Sequence, residues 1–296
     1  MSFSSELKDA ICKLRPSGCC EFAECFGMLF FAREFNEDRI ELRTEYEGVA
    51  RLFSTLIKNC FGVHTRSTVA GKGVGKYKEV IDVSAICKRI FSFSEDYKGD
   101  FFKGYTAMRE CCAGAFLRGT FLVCGSISNP NKEYHLEFVV KNEYQQSELV
   151  YFLLNLNLNP KTSKKGHLYC VYLKQSDQIE ELLTRMDVTQ YTIELMEIKI
   201  EKSVRNRINR INNCESANLT KTVNASVDQV RAIKFLEEEG FLSSLPKELY
   251  FAAILRLENP DASLKELCEL SDESITRSGM NHRLQKLVKI AQSKEN

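Results

Sequence analysis

Two apolar segments, residues 25–33 (CFGMLFFAR) and 117–125 (LRGTFLVCG), constrain the fold of this 296-residue chain more than any other feature. Laid one on the other with a shift of 92 residues, they bring Gly27 onto Gly119. The same shift brings Cys19 onto Cys111, Cys20 onto Cys112 and Ala23 onto Ala115. A period of that length marks a duplicated half-domain rather than a short solenoid unit. Each segment is apolar almost all round with a small residue at its middle. That pattern suits two helices packed face to face, the glycines letting their backbones approach.

The elements around each segment recur in the same order. The first half, about residues 7–97, starts with a helix over 20–35 and an alternating strand at 40–46. A helix at 48–61, strands at 63–69 and 77–83 across a glycine-rich turn, and a helix at 84–93 follow. The second half, about residues 105–190, has a helix at 111–124, a strand at 134–140 and a helix at 143–158. A strand at 168–173 and a helix at 177–186 complete it. IELRTEYEGVARLFSTLI and LEFVVKNEYQQSELVYFLL also align, at a slightly larger shift. Residues 98–104 and 108–110 join the halves. Short strands alternating with helices in two similar halves predict an α+β domain over residues 1–195 with a saddle-shaped antiparallel sheet.

The paired segments resemble the motif helices of the LAGLIDADG homing-endonuclease fold, which form such an interface. The resemblance implies an acidic residue near the end of each motif, holding the metal that cleaves DNA. The matching positions are Ala32 and Cys124, and neither supplies a magnesium-holding carboxylate. The expectation is a kept scaffold with no catalytic residue and no enzymatic activity.

From Tyr191 the character changes. Residues 196–225, with SVRNRINRINNCESANLTKT, are polar, lack core periodicity and are expected to form a linker or arm. Arg205, Arg207 and Arg210 stand there among four asparagines as candidate phosphate contacts. Residues 226–296 form an all-helical segment. Its helices are expected at 226–239 (stopped by Gly240), from Pro246 to 258, at 264–270 and at 276–292. Ser263 and Glu266 supply a capping box for the third.

A short helix, a turn and a longer basic helix make a helix-turn-helix pattern. Leu264 and Leu267 are placed against Leu284 and Leu287, with Ile275 wedging the turn. Met280, Leu284, Leu287 and Ala291 mark the buried face of the last helix. Its opposite side carries Ser278, His282, Gln285 and Lys289, flanked by Arg277, Asn281, Arg283 and Lys286. Asn, Gln and Arg make bidentate contacts to base edges, and Lys and Arg also neutralise phosphates. The start of such a helix enters the major groove, so Arg277, Ser278, Asn281 and His282 are the first candidates for base contact. The domain's acids lie mostly elsewhere, as at 237–239 and at Asp272 and Glu273.

PDASLKELCELSDESITRSGMNHRLQKLVKIA closely resembles the C-terminal domain of the WhiA family, and RNRINRINNCESANLTKT that family's linker signature. AFLRGTFLVCGSISNPNKEYHLEFV resembles its degenerate endonuclease domain. The likeness covers nearly the whole chain, with the motifs in the family's order. It implies a transcription regulator of Gram-positive bacteria, tied to sporulation or to cell division and chromosome segregation. It also implies a helical domain similar to the DNA-reading region of sigma factors.

Other motifs resolve against small-molecule chemistry. AGKGVGKY nearly matches a phosphate loop, but Tyr77 replaces the metal-binding hydroxyl and a strand rather than a helix follows. A hairpin turn with Lys72, Lys76 and Lys78 is the expectation. Lys161, Lys164 and Lys165 form the corresponding basic loop of the second half. Of these, Lys72, Lys76, Lys164 and Lys165 are candidate phosphate contacts. The four histidines lack zinc spacing, and twelve cysteines without one C-x-x-C give poor support to a zinc site, so no metal or cofactor is expected. Glu24, Glu34 and Glu110 near the motifs are stray carboxylates off the required positions. Free thiols, an N-terminus without a signal-like apolar run and no ~20-residue apolar stretch point to a cytoplasmic, nucleoid-associated protein without membrane contact.

A net charge of +1 leaves the partner to local charge distribution. The leading expectation is a non-enzymatic, sequence-specific regulator bound to double-stranded DNA. The alternatives are an interaction module gripping a sigma factor or co-regulator, and an active homing endonuclease. Salt separates the first two, because DNA affinity falls steeply through counterion release and an apolar interface changes far less.

Overall fold

The computed structural model describes residues 2–16, 18–69, 76–103, 110–271 and 274–295, with backbone only for 96–103 and 110. Residues 70–75, Lys72 among them, and Met108, Asp272 and Glu273 lie outside the described residues. The chain forms two compact units, Met1–Lys202 and Ser203–Asn296.

The first unit opens with α1 (Phe3–Lys13), capped by Ser2 and Ser5 and burying Phe3, Leu7 and Ile11. Their i, i+4, i+8 spacing lays one apolar stripe along the helix. α2 (Cys19–Phe30) and α5 (Glu110–Cys124) are the two motif helices. The expected helix to residue 35 stops early, because Glu34–Phe35 form strand β1, paired with β2 (Ile40–Thr44). The Asn36 side chain closes their turn by accepting from the amides of Asp38 and Arg39 at 3.0 and 2.8 Å.

α3 (Glu47–Phe61), β3 (Arg66–Val69), β4 (Tyr77–Ile81) and α4 (Ser84–Lys103) complete the first half. The second follows α5 with β5 (Gly125–Ile127), β6 (Leu136–Val140), α6 (Glu143–Asn155), β7 (Lys161–Lys165), β8 (Leu168–Leu173) and α7 (Ser176–Arg185). The antiparallel sheet expected of the domain is built as two, one in each half, ordered β1-β2-β4-β3 and β5-β6-β8-β7. The identical order is the duplication expressed as topology. β7 was expected as a loop; it is an exposed edge strand hydrogen-bonded to β8. A row of lysines on an edge keeps other chains from pairing with it.

Residues 196–225 are not an irregular linker. They lie within α8 (Thr189–Glu238), a 50-residue helix with no glycine or proline to break it. Residues 203–224 are exposed on every face, which is why no core periodicity marks them. In the second unit α8 ends near Gly240, whose φ of 72° is the left-handed conformation glycine favours. A 3-10 turn (Leu242–Ser244), α9 (Lys247–Glu258), α10 (Leu264–Glu269) and α11 (Arg277–Glu295) follow. Ile233, Leu236, Ala253, Leu267, Leu284 and Leu287 form the core between them. The Ser263–Glu266 capping box starts α10 as expected.

Candidate nucleic-acid interface

At ~100° per residue, Met280, Leu284, Leu287 and Ala291 fall on one stripe of α11, and all four are buried. Arg277, Ser278, Asn281, His282, Gln285, Lys286 and Lys289 are exposed. Among the described residues none of Arg277, Lys286 and Lys289 is held in an ion pair, so their charge is directed to solvent. Arg283 differs. Its position in the turn sets it beside α9, where it faces Glu248 at 3.8 Å and its side chain is only 19% exposed. Its charge is partly shared with that exposed carboxylate.

Sequence patterns did not single out Arg256, which is 2% exposed on α9. Its guanidinium donates to the carbonyl of Ala262 at 2.6 Å and to those of Asn259 and Pro260 at 3.4 Å. The Ser226 hydroxyl also donates to Pro260. These bonds fix the α9–α10 loop and with it the entry to the helix-turn-helix. No local motif marks this role, because its acceptors are backbone atoms brought round by the Asn259–Pro260 turn.

The candidate phosphate contacts are scattered. Arg205, Arg207 and Arg210 are exposed on α8, but only Arg207 and Arg210 (i, i+3) share a face. Lys76 lies over the Tyr77 ring and Lys164 over the Tyr169 ring, 4.9 and 4.7 Å from the centroids. Lys165 pairs with Glu137 at 2.9 Å.

The motif helices meet as the glycines require. A Cβ on Gly27 would stand 2.4 Å from the Phe116 carbonyl oxygen, and one on Gly119 2.1 Å from that of Glu24. Phe116 and Glu24 are themselves equivalent under the 92-residue shift, so the contact obeys a pseudo-twofold. Between the helices Arg118 donates to Glu24 at 3.0 Å and to the Met186 carbonyl at 3.3 Å, both side chains being buried. Burial pushes the Glu24 carboxyl up, and Arg118 opposes that shift.

The C-terminal ends of these helices carry lysines where the homing-endonuclease pattern asks for acids. Lys141 donates to the carbonyls of Ala32 and Arg33. Lys8, buried, donates to the Leu122 carbonyl at 3.2 Å and faces the Tyr46 ring. Burial lowers both ammonium pKa values and pushes the Cys124 thiol up to about 12. Lys8 meets a last-turn carbonyl of α5 and Lys141 two carbonyls just past the end of α2, and both cations repel a metal ion. The carboxylate deepest in this region, Glu41, is also occupied. Arg39 at 2.6 Å, Lys78 at 3.1 Å, Arg33 at 3.7 Å and Arg43 all pair with it. Burial would raise its pKa, yet hydrogen bonds from Arg39, Arg43 and Lys78 hold it at about 2.

Residues 113–205 match the WhiA LAGLIDADG-like domain, and residues 208–291 match the WhiA C-terminal HTH domain. A probable cell division protein WhiA of Clostridium botulinum (strain Hall) is 37% identical over 98% of this chain and 98% of its own length. The chain belongs to the WhiA family. A similarly named WhiA of Desulforamulus reducens is 37% identical over 99% of this chain and 96% of its own. The crystal structure of a full-length WhiA from Thermatoga maritima superposes with a TM-score of 0.62 and 25% identity, covering 99% of each chain. The matched regions thus take in most of α5 with the LAGLIDADG-like domain and α10–α11 with the helix-turn-helix domain. Among the described residues no helix is long and apolar enough to cross a membrane.

Four of the chain's cysteines come together across the repeat. The lack of a C-x-x-C spacing spoke against a thiol metal site, yet the sulfurs of Cys19, Cys20, Cys111 and Cys112 lie within 4.8 Å of one another. Helix packing across the repeat supplies the proximity that local spacing does not. The histidines, in contrast, join no such group among the described residues.

Proposed function

We propose that this protein is a sequence-specific, double-stranded-DNA-binding transcription regulator acting in sporulation or in cell division and chromosome segregation. The carrying observation is the solvent face of α11, where Arg277, Ser278, Asn281 and His282 open the helix and Gln285, Lys286 and Lys289 continue it. That set combines bidentate base readers with phosphate-neutralising cations on a helix whose other side is locked into the core. Arg283, turned to Glu248, serves mainly to seat α11 on α9. Arg205, Arg207, Arg210, Lys72, Lys76, Lys164 and Lys165 are the proposed phosphate contacts.

On this reading the LAGLIDADG-like domain cleaves nothing. Ala32 and Cys124 offer no carboxylate, Lys8 and Lys141 bring positive charge to the ends of the motif helices, and Glu41 is saturated by cations. The protein works in the cytoplasm on nucleoid DNA. Selection from random duplexes with magnesium present, followed by sequencing of bound and cleaved products, tests this. One enriched short motif is expected, lost in Arg277→Ala/Asn281→Ala, with a penalty of about 1–3 kcal/mol per lost base contact. Cleavage at a long site would overturn the non-nuclease reading. Absence of any enriched motif would transfer the role to a protein partner such as a sigma factor or co-regulator.

A further inference from the structure

We infer that Cys19, Cys20, Cys111 and Cys112 form a tetrathiolate site for a single zinc ion, a site independent of the DNA-binding reading. The four sulfurs lie within 4.8 Å of one another, and none is in a disulfide. A tetrahedral zinc ion with ~2.3 Å bonds to sulfur needs ligand–ligand edges of about 3.8 Å. Small side-chain rotations therefore close the group on an ion. The same span is too tight for a four-iron cluster, whose terminal thiolates stand farther apart than those around one ion.

The site follows from the duplication. The shift that superposes Gly27 on Gly119 superposes Cys19 on Cys111 and Cys20 on Cys112. Each motif helix contributes its two neighbouring thiols, so the site lies on the pseudo-twofold, at the end opposite Ala32 and Cys124. All four cysteines sit in the first turns of α2 and α5. There the unpaired amides and aligned backbone dipoles favour the negative charge a tetrathiolate complex carries. Cys112 is buried and Cys20 half-buried, while exposed Cys19 and Cys111 leave an entry for the ion. Soft thiolates select zinc over magnesium. A bound ion would staple one half-repeat to the other.

The test uses the full chain, purified under reducing conditions without chelator and analysed by elemental mass spectrometry. About one zinc per chain is expected. After stripping, cobalt(II) should develop tetrahedral d–d bands with sulfur-to-cobalt charge transfer, and zinc should raise the Tm of the apoprotein. The Cys19→Ser/Cys111→Ser variant changes only exposed thiols. It should keep its circular dichroism and lose metal, cobalt spectrum and the zinc-dependent Tm shift, whereas Cys214→Ser loses none of them. Metal-free protein whose cobalt spectrum stays octahedral would overturn the inference. So would an iron–sulfur chromophore, or cysteines that resist alkylation until disulfides are reduced.

Discussion

The two ends of the motif-helix pair had the same symmetry to start from and now differ. At the N-terminal end the repeat is intact, with Cys19 and Cys20 matched by Cys111 and Cys112 and all four sulfurs together. At the C-terminal end the matched positions hold Ala32 and Cys124, and unrelated elements bring a lysine to each. Midway, the glycines keep the pseudo-twofold while the Glu24–Arg118 pair breaks it, since Phe116 and Phe26 occupy the equivalent positions. A packed interface can thus stay symmetric where backbones touch and diverge where only chemistry was at stake. Close backbone approach tolerates no side chain, whereas a lost metal ligand costs the fold nothing.

The largest expected effect sharpens the middle of this comparison. Arg118→Leu leaves the buried Glu24 carboxylate unpaired and should lower unfolding stability by about 3–5 kcal/mol, read from urea denaturation. Glu24→Leu/Arg118→Leu should recover most of the loss, since an apolar pair of similar volume often replaces a buried ion pair without penalty. Failure of the double variant to recover would make the pair a positive contributor rather than a tolerated one.

A smaller effect probes the cation-rich C-terminal side. Glu41 is held at about 2, below the ordinary value of 4.5, so its folded-state pKa is depressed. Its stabilisation is full above about pH 4.5 and is lost as pH falls toward 2. Thermal melts of the wild type and Glu41→Gln should therefore converge across that window. A gap that persists at pH 2 would mean that shape, not charge, holds Glu41 in place.

The smallest expected effect is none. Ala32→Asp/Cys124→Asp restores both acids, yet Lys8 and Lys141 stand ready to pair with them, so no magnesium-dependent nicking of plasmid DNA should appear. Nicking would show that the two carboxylates alone were missing and that the lysines are bystanders.

The sequence alone determined the duplication, the glycine-centred helix pair, the absent acids and the buried stripe of α11. Each rests on a local period or a single residue type, and periodicity survives in one dimension. The WhiA assignment was legible for the same reason, since its motifs are contiguous. The helical form of residues 196–225 was not legible, because a helix exposed over most of that stretch has no apolar face to give it a period. The strand at 161–165 was hidden because an edge strand of lysines lacks alternation. Only the tertiary structure brought Lys8 to the Leu122 carbonyl, Lys141 to that of Ala32, and the four cations around Glu41. Only it gathered the four cysteines and spent Arg283 on Glu248. Coulombic and ligand contacts depend on distance in space, and the folded chain sets that distance between residues as far apart as Cys19 and Cys111.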